Sequence, residues 1–228
     1  MNKLIVCALV FAAVMPGRAP ASEGNLSAVL ARMDAAGASF RSMTAKMNKV
    51  QHTAILNDDS KESGTIKLLK VKPGELRMLG EITEPDPKGY ALRGNKAELY
   101  YPKIATVQEY NLSKHKGLVE QFLRLGFGST GKELLQSYTI KLIGNETVNG
   151  QETGHLELVP KSAQAREIMK TVELWINAQG YPVRQKFLEP SGDYRLVDYT
   201  DVKINPGLTA EDVTLQLPKN VKREFPQK

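Results

Sequence analysis

The stretch that most limits what this chain can fold into runs from Gly64 to Tyr110, where apolar and polar residues alternate at period two. Ile66 and Leu68 fall on one side of an extended chain, while Thr65, Lys67 and Leu69 fall on the other, and Leu76, Met78 and Ile82 repeat the pattern. Pro73-Gly74 and Gly94-Asn95 separate the runs. Proline presets φ near −65° and glycine tolerates positive φ, so both pairs read as turns between antiparallel strands. No nucleophile, metal set or acid–base pair stands in this stretch. It predicts a sheet with an apolar face to fill.

The flanking segments follow the same logic. Asn25–Gly37 predicts a helix: Leu26, Val29, Leu30 and Met33 recur at helical spacing, Asn25 is a favourable N-cap and Gly37 a stop. From Ser39 to Leu56 the period returns to two, with Met43, Ala45 and Met47 on one face. Lys114–Leu125 carries Leu118, Val119, Phe122 and Leu125 at helical spacing, and Lys132–Gln136 predicts a further turn or two. Strands resume from Tyr138 to Ile204, punctuated by Asn149-Gly150, Gln179-Gly180 and Ser191-Gly192. Thr209–Val213 reads as a last helical turn and Val221–Lys228 as a frayed tail. Helices inserted between hairpins argue against a parallel βαβ sheet. An antiparallel sheet of this length curls, and its concave face is where the amphipathic helices would be buried.

Residues 1–21 read as a secretory signal: Lys3, the apolar run Leu4–Met15, and Ala19-Pro20-Ala21 before Ser22. The remainder, 22–228, fits one domain. The only cysteine, Cys7, lies inside the signal, so the mature chain would have no disulfide and no thiol chemistry. It would keep 29 basic against 25 acidic residues, a net +4, spread without a basic run. That pattern argues for a solvated surface with weak steering toward anionic lipid and against a nucleic-acid stripe.

Three motifs are discounted on context. Gly126-Phe-Gly-Ser-Thr-Gly131-Lys132 has phosphate-loop spacing, but Glu133 stands where a Mg²⁺-binding hydroxyl belongs and a helical pattern precedes it. A flexible joint between two helices, the hinge of a lid, reads better. His52, His115 and His155 lack metal-ligand spacing, so no metal and no cofactor is expected. Trp175 alternates with Leu174 and Ile176, as a sheet anchor does.

The order of these pieces resembles the LolA family of periplasmic outer-membrane lipoprotein carriers. The resemblance rests on Gly64, Lys72-Pro73, Leu76-Arg77, Gly94-Asn95, Leu99-Tyr100-Tyr101-Pro102 and Gln108, and on the closing segment LTAEDVTLQLPKNVK. It implies an α+β fold: an unclosed antiparallel half-barrel of about ten or eleven strands, with two or three helices covering the concave face. It further implies a monomeric, non-enzymatic carrier whose cavity holds the acyl chains of a lipoprotein or other lipid. Such a carrier would take them from an inner-membrane ABC transporter and pass them to an outer-membrane receptor, with transient contact at the membrane surface. The expected cavity residues are Met43, Met47, Ile66, Leu68, Leu76, Met78, Leu99, Tyr101, Leu118, Phe122 and Leu125. Methionine suits a pocket that re-forms around different chains, and equally suits ordinary core packing. Leu118, Phe122 and Leu125 are likewise lid or core. The family carries Arg where this chain has Lys72, which keeps the charge without the planar five-donor fork. The alternative is a lipid-sensing or envelope-stress binding module on the same fold, acting through a protein partner.

Overall fold

The computed structural model of the protein describes residues 21–72, 74–115, 117 and 125–227. All but the last residue of the expected signal, most of the helix expected over Lys114–Leu125, and the cavity candidates Leu118 and Phe122 lie outside the described residues.

Period-two patterning does become sheet. β1 (Ser42–Thr53), β2 (Asp58–Lys72), β3 (Glu75–Glu84), β4 (Lys88–Arg93), β5 (Lys96–Tyr101) and β6 (Thr106–Asn111) form an antiparallel meander. A second meander follows: β7 (Tyr138–Val148), β8 (Gln151–Pro160), β9 (Thr171–Ile176), β10 (Pro182–Leu188) and β11 (Tyr194–Ile204). The two join where β1 pairs antiparallel with β11. The resulting sheet is unclosed, with β7 at one edge and β12 (Lys222–Glu224) at the other. β12 corrects the reading of the C-terminus as a frayed tail. It pairs parallel with β6, and Arg223 and Glu224 meet Glu109 and Gln108 across that pairing. The sheet therefore has 12 strands and is mixed at this one edge.

Among the described residues three α-helices accompany it: α1 (Ala21–Ser39), α2 (Gly131–Ser137) and α3 (Ala163–Arg166). The apolar stripe of α1 lies on the concave face. Val29, Leu30 and Met33 pack with Leu156, Leu158 and Leu174 of the second meander, and Ala36 and Phe40 pack with Met43, Ala45 and Met47 of the first. The helix runs past Gly37, its expected stop. A Cβ at Gly37 would sit 2.7 Å from the carbonyl oxygen of Ser129, so glycine there serves a close crossing of two backbones. Asn205, at the end of β11, pins the corner from α1 to β1. Its side-chain oxygen accepts from the Arg41 and Ser42 amides, and its amide nitrogen donates to Ser39.

The glycine-rich stretch is a buried connector. Leu125, Phe127, Ser129 and Gly131 are all buried. Thr130 caps α2: its hydroxyl accepts from the Glu133 amide, Glu133 accepts from the Thr130 amide, and Asp34 accepts from the Lys132 amide. Protein oxygens thus occupy the N–H groups that a phosphate would need. The turn expected over Thr209–Val213 is not helical. Asp212 accepts from the backbone and hydroxyl of Thr209, and Leu208, Val213 and Leu215 cover Leu79 and Ala91 on the convex face. Trp175 is buried on that face, its ring 4.1 Å from His155 and its indole N–H donating to Glu146.

Candidate functional site

The strand register gathers one set of side chains on the concave face. Met43 opposes Leu68 and Leu68 opposes Met78; Ala45 opposes Ile66, and Met47 opposes Tyr199. Beside this surface, Gln185 of β10 binds the connector. Its side-chain amide donates to the Leu125 carbonyl at 2.5 Å and accepts from the Tyr199 hydroxyl at 2.8 Å. Phe127 stands edge-on to Tyr199, 5.3 Å between ring centres. Between connector and sheet lies a cavity of ≈ 360 Å³, within the range of about 300–1,000 Å³ usual for small-molecule sites.

Five of the residues singled out from the sequence line this cavity: Met47, Ile66, Leu68, Met78 and Leu125. Met43 and Leu76 do not; they are packed in the adjoining core, 0% and 5% exposed. Leu99 opposes Tyr90 and so shares the concave face, and Tyr101 lies two residues on, but both stand apart from the cavity wall. Lys72 lies at the far end of β2, its side chain 69% exposed and its ammonium 3.4 Å from Glu75.

Most of the rest of the wall comes from positions that the strand pattern alone does not single out: Tyr90 and Leu92 of β4, Gln185 and Phe187 of β10, Val197 and Tyr199 of β11, and Phe127 of the connector. Gly80 was a usable signal. A lone glycine in a strand marks close approach, and here a Cβ would meet the Tyr90 ring at 2.1 Å. The ring can therefore lie across β3, where its hydroxyl reaches the Met47 sulfur at 3.5 Å. Burial, with Glu62 nearby, pushes the Tyr90 hydroxyl up to about 12, and burial raises Tyr199 further still. Both remain neutral and suit an apolar wall.

One end of the half-barrel carries the β1–β2, β3–β4 and β10–β11 turns together with the loop of α3. There Lys49 lies 2.6 Å from Glu62, which Lys88 also contacts. Burial would raise the Glu62 carboxyl, but the two lysines outweigh it and hold the group below the usual carboxylate value. A carboxyl lowered on folding adds stability above its unfolded pKa of about 4.3 and loses it as pH falls through the folded value. Glu62→Gln should therefore cost about 1 kcal/mol at neutral pH and flatten the loss of stability in acid. Urea denaturation at pH 7 and pH 3 measures both.

A larger surface hollow of ≈ 780 Å³ lies at the opposite end beside Asn95, Lys96, Glu109 and Asn111. Tyr110 and Phe225 supply aromatic surface there, and the other lining residues carry amide, hydroxyl or charged groups. Among the described residues no group of three or more His, Cys, Asp or Glu side chains is placed to hold a metal ion. Nor is any helix there long and apolar enough to cross a membrane.

Fold and cavity together define an unclosed half-barrel with an apolar hollow under a buried connector. No protein-family model matches the chain, and no curated protein matches it in sequence. Solved structures do match in fold. An uncharacterized conserved protein from Thermus thermophilus is 13% identical with a TM-score of 0.54, over 88% of this chain and 99% of that one. MucB is 13% identical with a TM-score of 0.52 over 85% of this chain, which spans 64% of the MucB chain. The Mycobacterium tuberculosis lipoprotein LppX is 13% identical with a TM-score of 0.50, over 82% of this chain and 99% of that one. These likenesses are of fold alone, and the shared fold is the one that the LolA resemblance implies.

Proposed function

We propose that this protein is a periplasmic carrier that holds the acyl chain of a lipoprotein or other lipid in the cavity and moves it from the inner to the outer membrane, catalysing no reaction. The observation that carries the reading is the cavity itself: Ile66, Leu68, Met78 and Phe127 surround space that the protein's own side chains leave open. Removing apolar surface from water is worth about 25 cal/mol per Å², so such a hollow has a use for a hydrocarbon chain. The LolA resemblance supplies the transport role and the partners, an inner-membrane ABC transporter and an outer-membrane receptor. Transient membrane contact is assigned to the end that carries Lys49. Ile55 and Leu56, at the tip of the β1–β2 hairpin, are 91% and 72% exposed, and Ile104 and Ile168 are exposed at the same end.

Native mass spectrometry of protein purified from the envelope should find lipid bound, and lipid-free protein should take up an acylated peptide. Protein that is consistently empty and fails to take up the peptide would overturn the reading. A captured regulator without lipid would favour a binding module that acts through a protein partner.

A further inference from the structure

The cavity wall is chemically lopsided, and this bears on the class of ligand in a way that rests on the acyl-carrier reading. Its floor is apolar and closed: Leu68, Leu125 and Phe127 are 3%, 1% and 2% exposed. The polar groups there satisfy one another, with Tyr199 donating to Gln185 and Gln185 to the backbone. At the turn end the wall changes character. The charged residues that line the cavity are Lys49 and Arg195, and no carboxylate among the described residues joins them. Their side chains are 25% and 42% exposed, and Ile168 beside them is 44% exposed, so this is where the cavity meets solvent.

The balance of charge there is positive. Lys49 leans on Glu62, which it shares with Lys88, and Arg195 contacts Glu189 at 2.8 Å. Neither acid lines the cavity. These three cations and two carboxylates leave one net positive charge. Arg195 engages Glu189 through Nη2, while its Nε is buried with no hydrogen-bond partner among the described residues. A buried donor left without an acceptor is costly, and an ionised acceptor is the strongest remedy. Size adds a further limit: ≈ 360 Å³ holds about a dozen water-sized groups at about 30 Å³ each, room for one hydrocarbon chain.

We infer that the preferred ligand is a single-chain amphiphile with an anionic head, its tail on Leu68 and Leu125 and its carboxylate or phosphate between Lys49 and Arg195. The full-length protein would be titrated by calorimetry with dodecanoic acid, its methyl ester and dodecyl phosphate, each kept monomeric. An anionic head should bind at least about tenfold tighter than the ester. Arg195→Gln, and independently Lys49→Gln, should shrink that ratio toward one through loss of anion binding, with circular dichroism reporting the fold of each variant. A stronger phosphate than carboxylate arm would assign a phospholipid-type head, and the reverse order a fatty acid. Equal affinity for ester and both anions would overturn this inference and leave the carrier reading standing. No binding of any of the three would overturn the carrier reading itself.

Discussion

Met78→Glu should abolish acyl-chain uptake and leave a folded protein, whereas Met43→Glu should leave no folded protein to assay. The two methionines are cross-strand neighbours on the same face, both opposite Leu68, and nothing in the strand pattern distinguishes them. Their surroundings do. Met43 is 0% exposed beneath α1, packed with Phe40 and Ala36. A carboxylate there has neither water nor a cationic partner, and burying such a group costs several kcal/mol even after it takes up a proton. That is a large share of a total stability of about 5–15 kcal/mol. Met78 is only half-buried and lines the cavity, so a carboxylate can reach solvent at modest cost. It would still put a charge where the chain's methylenes must lie, each worth about 0.8 kcal/mol when buried. Uptake of a fluorescent fatty acid should fall by at least about tenfold, with the thermal melt still cooperative. Unchanged uptake by folded Met78→Glu would make the hollow incidental to function.

The contrast between these methionines marks the limit of what the sequence made legible. Period two places Met43, Met47, Ile66, Leu68, Leu76 and Met78 on one face, because a strand's side chains alternate whatever else surrounds them. Which of them end as core and which as cavity wall depends on what lies above, namely α1 over Met43 and the connector Leu125–Gly131 over Met47. That arrangement is set by contacts such as Gln185 to Leu125, 60 residues apart, which no local pattern encodes. The same distance problem hid the β10 and β11 half of the wall, since β1 meets β11 more than 140 residues along the chain. Short elements failed for another reason. Lys222–Glu224 is too brief to display a period, and its pairing is visible only as Arg223 and Glu224 meeting Glu109 and Gln108. Gly37 misleads because glycine ends helices and also permits close crossings, and only the position of Ser129 separates the two uses.

Ile55→Ser combined with Leu56→Ser should slow transfer of the bound chain to and from bilayers by at least about tenfold, without changing uptake of monomeric lipid in solution. The β1–β2 hairpin projects these side chains from the end of the half-barrel where Lys49 and Arg195 stand. They are too exposed to help hold the fold, so their removal costs almost no stability. Each large apolar side chain transferred from water gains about 1.5–3 kcal/mol, so a pair that enters the acyl boundary would hold the cavity's open side against the membrane. A tether of that strength is brief, which is what a carrier needs in order to leave again. Stopped-flow transfer of a fluorescent fatty acid to vesicles of phosphatidylethanolamine and phosphatidylglycerol, alongside vesicle flotation, separates this role from binding. Slower transfer with solution affinity intact would fix the direction in which the protein meets the bilayer. Transfer at the wild-type rate would mean that the chain leaves through water or through another face, and the exposed hairpin would need a protein partner to explain it.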